Sequence, residues 1–195
     1  MTKKVLSCTC VLAALAIGTP AFSELVEFQP DHEKSRIDVD VEATVGSFVG
    51  RIKEYQAAFQ GDLETLADFK GELSFDFKDL ETGKEKRNED MREWMGYESH
   101  PRGRFVLKEV VRSASGTLAV GTLEAVGVQR PVEIPVTLER NGDQLSMDGR
   151  LTVNYQDFGL DLIRMALVLT VNPEFDVIFH FEGPLKPVTP AARSE

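Results

Sequence analysis

Apolar and polar residues alternate with a period of two along most of this chain. Arg36–Glu42 reads R-I-D-V-D-V-E, with Ile37, Val39 and Val41 on one face and charges on the other. Leu73, Phe75 and Phe77 alternate with Ser74, Asp76 and Lys78, and Phe105 and Leu107 repeat the pattern. Further series are Val132, Ile134, Val136 and Leu138, then Leu145, Met147, Gly149, Leu151 and Val153. Phe175, Val177, Phe179 and Phe181 form the last series, opposite Asp176, His180 and Glu182. Successive side chains of a strand point to opposite faces, so the pattern predicts an antiparallel sheet with one apolar and one wet face. Asn141-Gly142, between two of these runs, is a hairpin signal. Many such strands need a common interior. A sandwich and a closed barrel both supply one, and the alternation does not choose between them.

One segment departs from this period. Thr82-x-x-Glu85 has the form of a capping box, and Met91, Trp94 and Met95 then recur at i, i+3 and i+4. Gly96 is a stop and Pro101 prevents a restart. The spacing predicts a short helix over about residues 85–95 that caps or flanks the sheet.

The chain opens as a secretory signal would. Lys3 and Lys4 precede the apolar stretch Val5–Ile17, and Ala21-Phe22-Ser23 offers small residues for cleavage after Ser23. The apolar stretch is shorter than the roughly 20 residues a spanning helix needs, and no later segment is longer. A lipoprotein reading through Cys8 would leave almost no apolar region ahead of the cysteine. The expected division is a signal peptide at 1–23, one domain at 24–183 and a mobile Pro- and Ala-rich tail at 184–195. Both cysteines, Cys8 and Cys10, fall in the signal, so the exported chain is expected to hold no disulfide and no thiolate. Removing 23 of 195 residues leaves 172, enough for one core, with 20 Lys and Arg against 32 Asp and Glu. A net charge of −12 argues against nucleic acid and against anionic membrane surfaces.

Catalytic motifs are missing from the sequence. There is no G-x-S-x-G, H-E-x-x-H, Walker loop or G-x-G-x-x-G. His32, His100 and His180 are far apart, and Asp31-His32-Glu33 reads as a solvated turn before the first strand rather than a metal site. His180 falls on the polar face of its strand. Asp76, Asp157 and Asp161 have no fixed geometry, and Asp157 in Q-D-F-G suits a turn. The apolar supply is the positive signal: eleven of twelve Phe follow the signal, while Tyr and Trp are scarce. Phe offers apolar area with no polar group to satisfy. The candidate ligand-lining residues are therefore Phe48, Phe59, Phe75, Phe77, Phe105, Leu107, Phe158, Phe175, Val177 and Phe179 in the domain, with Met91, Trp94 and Met95 on the helix. Packing within a filled core is the competing reading for each.

Three segments stand in order: Thr82–Phe105 (TGKEKRNEDMREWMGYESHPRGRF), Val120–Pro135 (VGTLEAVGVQRPVEIP) and Leu151–Leu160 (LTVNYQDFGL). Together they resemble the YceI-like family of periplasmic polyisoprenoid-binding proteins. That family's pattern is a TG-x-x-x-RD-x-H-L-R helix, a Y-P turn, then L-T-x-x-G-V-T-R-P-V and R-x-D-F-G. The resemblance spans roughly Phe28 to Gly183. It departs at Glu42-Ala43-Thr44-Val45-Gly46, where a histidine is usual, at Asp90 in place of another His, at Met91 in place of Leu, and at Tyr155-Gln156 before D-F-G. It implies an all-β, lipocalin-like antiparallel barrel of about eight strands with one inserted helix. The implied function is non-enzymatic: a periplasmic carrier or sink holding a polyisoprenoid or isoprenoid quinone, with no cofactor beyond that lipid. The alternative is a protein-interaction module whose barrel is filled by its own Phe side chains. Oligomeric state stays open, a homodimer included.

Overall fold

The computed structural model describes residues 25–44, 46–66, 68–165 and 169–188; the expected signal segment lies outside them. The strands are β1 (Leu25–Phe28), β2 (Arg36–Ala43), β3 (Ser47–Ile52), β4 (Tyr55–Asp62), β5 (Lys70–Asp76) and β6 (Leu80–Glu81). The helix α1 (Glu85–Trp94) follows. Then come β7 (Arg102–Ser113), β8 (Gly116–Ala125), β9 (Val128–Asn141), β10 (Gln144–Asn154), β11 (Arg164–Met165) and β12 (Leu169–Pro187). All pairings are antiparallel, in the order β1-β4-β5-β7-β8-β9-β10-β12, and β12 returns to pair with β1. The sheet thus closes on itself as an eight-strand barrel. Three positions around it are split between consecutive strands. β2 continues the place of β1 beside β12, β3 continues β4, and β6 continues β5. Closure removes the sheet edges that an open sandwich would leave.

Register follows the alternation. Val177 pairs with both Val39 and Leu151, and Phe179 with both Ile37 and Gly149, so the apolar faces of β2, β10 and β12 coincide on the inside. β12 carries Pro173, which has no N–H for a ladder. It sits where the register with β2 shifts between Val171 and Phe175. The β9–β10 hairpin forms as expected, but its two-residue loop is Gly142-Asp143, because Asn141 still pairs with Gln144. Gly142 takes φ +62°, as such a turn requires.

One end of the barrel is plugged. The β4–β5 connection folds Leu63, Leu66 and Phe69 inward, where they meet Val26, Phe28 and Leu145. Phe28 and Phe69 are fully buried, each contributing about 1.5–3 kcal/mol by removal from water. The Arg112 guanidinium donates to the carbonyls of Glu64 (2.9 Å) and Leu63 (3.4 Å), fastening the plug to the end of β7.

The structure corrects the sequence reading at four places. The first strand is β1, ahead of Asp31-His32-Glu33. Pro184–Pro187 continue β12 and pair with β1 through Leu185–Pro187, so the tail expected from residue 184 begins as strand; residues 189–195 lie outside the described set. Phe77 does not extend β5 but opens a 3-10 turn, Phe77–Asp79, whose first amides are capped by Asp76 Oδ1 accepting from Lys78 N at 2.9 Å. Thr82 does not cap α1. Lys84 holds the N-cap position with no side-chain bond, and Thr82 serves another contact described below.

Candidate functional site: an apolar cavity with a charged mouth

The barrel encloses a cavity of about 840 Å³. All thirteen of the candidate lining residues read from the sequence lie along it. Phe75, Phe105, Phe175 and Phe179 form the walls with Leu107 and Val177, and Phe59 lies toward the plugged end. Phe77 meets Phe75 edge to face at 5.2 Å. Phe48, Phe158, Met91, Trp94 and Met95 gather at the other end.

Sequence reasoning missed the glycines that keep the lumen open. Gly71, Gly103, Gly121 and Gly149 share the inward face of their strands. A Cβ at each would run into the ring of Phe59, Phe75, Phe105 or Phe179 respectively. The rings lie back over these gaps in the wall instead of projecting across the lumen, an aromatic cover over glycine that β-sheets use repeatedly. Phe59 pairs directly with Gly71, Phe75 with Gly103, and Phe179 with Gly149. In the sequence these are glycines at apolar-face positions; only the register tells which ring each one accommodates.

The mouth is built from four segments: α1, the β2–β3 turn, the β8–β9 turn and the stretch from Tyr155 to Ile163. Tyr155–Phe158 form a 3-10 turn ended by Gly159 at φ +80°, which places Tyr155 and Phe158 inward and leaves Asp157 exposed. The Trp94 indole meets Tyr155 edge to face at 5.0 Å, and its Nε1 donates to the Asp161 carbonyl at 3.0 Å. Val126, at φ +51° in the β8–β9 turn, is a β-branched residue held in the left-handed region at the rim.

The start of α1 is held by a buried amide. Asn88 is 2% exposed. Its Oδ1 accepts from Thr82 N at 3.0 Å and from Thr82 Oγ1 at 2.6 Å, and its Nδ2 donates to Glu81 Oε1 at 2.7 Å. That bond, with one from Gly83 N, holds the Glu81 carboxyl below its usual range. The network ties the start of the helix to β6. Its polar atoms are satisfied, so the burial of Asn88 is affordable and specific.

Charges ring the mouth. Lys86 pairs with Asp90 at 2.8 Å, which raises the lysine. Glu124 accepts from Gln129 Nε2 at 3.0 Å. Arg87 lies over the Phe48 ring, 3.8 Å from its centroid. Below this ring the described lining is apolar apart from hydroxyls, and it includes no His or Cys. The Tyr155 hydroxyl is engaged at 3.3 Å with both Val171 O and Ile163 N. Among the described residues no three His, Cys, Asp or Glu side chains gather as metal ligands. His180 is on the outer face with Nδ1 2.7 Å from Asp148 Oδ1, and His32 stacks on Tyr55 at 4.3 Å. The site can exclude water from an apolar guest. No described helix is long and apolar enough to cross a membrane.

Solved structures share the fold. BcnA of Burkholderia cenocepacia superimposes with a TM-score of 0.70 at 19% identity, covering 79% of this chain and 99% of that one. A YceI protein of Campylobacter jejuni gives 0.58 at 16%, covering 70% and 84%. A polyisoprenoid binding domain from Saccharophagus degradans, implicated in plant cell wall breakdown, gives 0.58 at 13%, covering 82% and 98%. No curated protein matches the chain by sequence. The family model of the YceI-like domain matches residues 28–183, which takes in the closed barrel from the end of β1 to β12, the helix and the cavity, and on that match the chain belongs to the YceI-like family.

Proposed function

We propose that this protein is a periplasmic carrier or sink that holds an isoprenoid lipid, a polyprenyl alcohol or the tail of a quinone, inside its barrel and acts by binding without catalysis. The observation that carries this reading is an apolar cavity plugged at one end and open at the other. A barrel filled by its own Phe side chains, as the interaction-module reading needs, fits poorly with rings laid against the wall over glycines. The family, and the ligand class of the Saccharophagus degradans domain, point the same way. Export rests on the signal pattern of residues 1–23.

Water exclusion supplies the affinity. Each buried CH₂ gains about 0.8 kcal/mol, so a five-carbon unit contributes about 3–4 kcal/mol before costs. A few units would approach the practical ceiling near −18 kcal/mol, so affinity alone selects chain length poorly. The plugged end does this instead. Taking a carbon at roughly the 30 Å³ of a liquid water molecule, the cavity holds about 28 carbons, or five to six isoprene units. Longer tails would leave their remainder at the mouth.

Protein purified from a periplasmic extract should release an isoprenoid near one per chain on organic extraction, read by mass spectrometry. Protein that is empty, and that takes up no prenyl probe when offered one, would overturn the carrier.

A further inference from the structure

We infer that the mouth of the cavity is an oxyanion site in which Arg87, assisted by Lys84, binds the phosphate or carboxylate head of an isoprenoid whose chain fills the barrel. This rests on the lipid-carrier reading and adds a ligand head group to it. Five charged side chains line the mouth: Lys84, Lys86, Arg87, Asp90 and Glu124. Their pairings are unequal. Asp90 is taken by Lys86 at 2.8 Å, and Glu124 accepts from Gln129 at 3.0 Å. Among the described residues, Arg87 and Lys84 have no carboxylate within ion-pair distance. Arg87, a half-buried residue, instead holds its guanidinium carbon 3.8 Å from the Phe48 ring centroid, a contact that supplies no acceptor oxygen and leaves its N–H donors for one.

Two features make this more than a surface cation. The chain as a whole carries a net charge of −10, so carboxylates are plentiful, yet none is placed against Arg87. The cation also stands where an apolar wall ends, the position a head group takes when its chain is in the lumen. There the dielectric is lower than in water, and a fork of N–H donors matches phosphate or carboxylate geometry. A neutral alcohol would leave that charge unanswered.

The test compares geranylgeraniol, geranylgeranyl monophosphate and geranylgeranoic acid, three heads on one chain, as competitors of a fluorescent prenyl alcohol on the full-length mature protein. Charge-assisted hydrogen bonds predict that the phosphate and the acid bind about tenfold or more tighter than the alcohol, an advantage that shrinks as salt is raised. Arg87→Met should remove most of that advantage, read as the ratio of phosphate or acid affinity to alcohol affinity in the same variant, while Arg87→Lys keeps part of it, as a point charge does. Lys84→Met, on an exposed side chain, should remove a smaller part, and it decides the matter if Arg87→Met fails to fold. A phosphate preference without an acid preference assigns the site to phosphate; equal preference assigns it to oxyanions generally. Equal binding of all three heads by the unaltered protein, or an advantage untouched by both variants, overturns the oxyanion site and leaves the carrier standing. Binding of none of the three overturns both.

Discussion

Replacing Trp94 by Ala separates a helix that closes the cavity from one that only braces it. Trp94 is half-buried, lines the cavity, meets Tyr155 at 5.0 Å and bonds to the Asp161 carbonyl at 3.0 Å. Truncating a fully buried Trp costs about 3–5 kcal/mol, so half-burial accounts for roughly 2. The edge-to-face pair lies within that burial, and the lost hydrogen bond adds about 1 kcal/mol, giving about 3 kcal/mol at most. Not all of this need appear as global unfolding. The contacts join α1 to the 155–163 segment across the mouth, while the Asn88 network independently holds the start of the helix to β6. Opening at the Trp94 end breaks only the pair and the hydrogen bond. About 2 kcal/mol of lost closure raises the open population roughly 30-fold. Release of a fluorescent prenyl probe, followed by stopped flow beside a urea melt, should therefore quicken by one order of magnitude or more, with uptake changed far less. A stability loss near 3 kcal/mol with an unaltered release rate would refute the argument, because Trp94 would then brace the barrel without covering its opening.

Phe179→Asp, which places a carboxylate in the lumen wall, should abolish lipid binding and cost about 2 kcal/mol or more, with circular dichroism checking the fold; a folded variant still loaded with lipid would remove Phe179 from the cavity. Gly149→Val should drive the Phe179 ring off the wall and into the lumen, lowering bound isoprenoid per chain at about 1–3 kcal/mol of destabilisation; unchanged stoichiometry in the extract would count against the glycine role. Val126→Asn should relieve left-handed strain and raise stability by about 1 kcal/mol in urea, and a loss would mean that its side chain packs more than it strains. Asp76 is held below the usual carboxylate range: burial opposes this, but donors at Lys78 N and Tyr97 Oη prevail. Its contribution to stability is therefore present above the unfolded value near 3.9 and lost as pH falls through the lower folded value. Asp76→Asn should flatten this acid limb in melts taken between about pH 5 and pH 2, and an identical limb would contradict it.

Alternation revealed the strands whose inward series run unbroken, such as β2, β9, β10 and β12. It did not reveal β3 and β4, for a physical reason. Phe48, Gly50 and Ile52 point inward, then Lys53-Glu54 intervene, and Tyr55, Ala57 and Phe59 take up the inward face one residue out of phase. The strand position breaks there, and so does the period. β1 is too short, at four residues, to display any period. The helix was legible from Met91, Trp94 and Met95, but its anchoring was not. Thr82 and Glu85 have capping-box spacing, whereas the contact that forms runs through Asn88, a residue unremarkable until its burial is seen. The aromatic supply was compatible with a lumen and, more readily for any single Phe, with a filled core. Deciding between them required the register, because a Phe turns back onto the wall only where the adjoining strand presents a glycine.

That last point bears on why a hollow barrel is stable at all. Eight strands leave an interior that side chains can just fill, and filling it would gain dispersion contacts that an empty cavity forfeits. Here an inward glycine lies beneath each of four rings, so the wall is thin there and those four rings contact backbone rather than one another across the lumen. Their aromatic partners lie along the wall and at the plugged end: Phe75 meets Phe77 at 5.2 Å, Phe179 stacks on Phe181 at 5.0 Å, and Phe59 reaches Phe28 at 6.2 Å and Phe181 at 6.5 Å. Packing energy is thus concentrated in the plug around Phe28, Phe69 and Leu145, and the half of the barrel nearest α1 has an unfilled interior. An apolar guest that binds only the folded barrel supplies the missing contacts there and stabilises it by RT ln(1 + [L]/Kd), about 2.7 kcal/mol at a hundredfold excess over Kd. The same glycines that withhold internal packing therefore couple the stability of the mouth end to occupancy. Loading should raise the protection of α1 and the 155–163 segment in hydrogen exchange more than that of the plug.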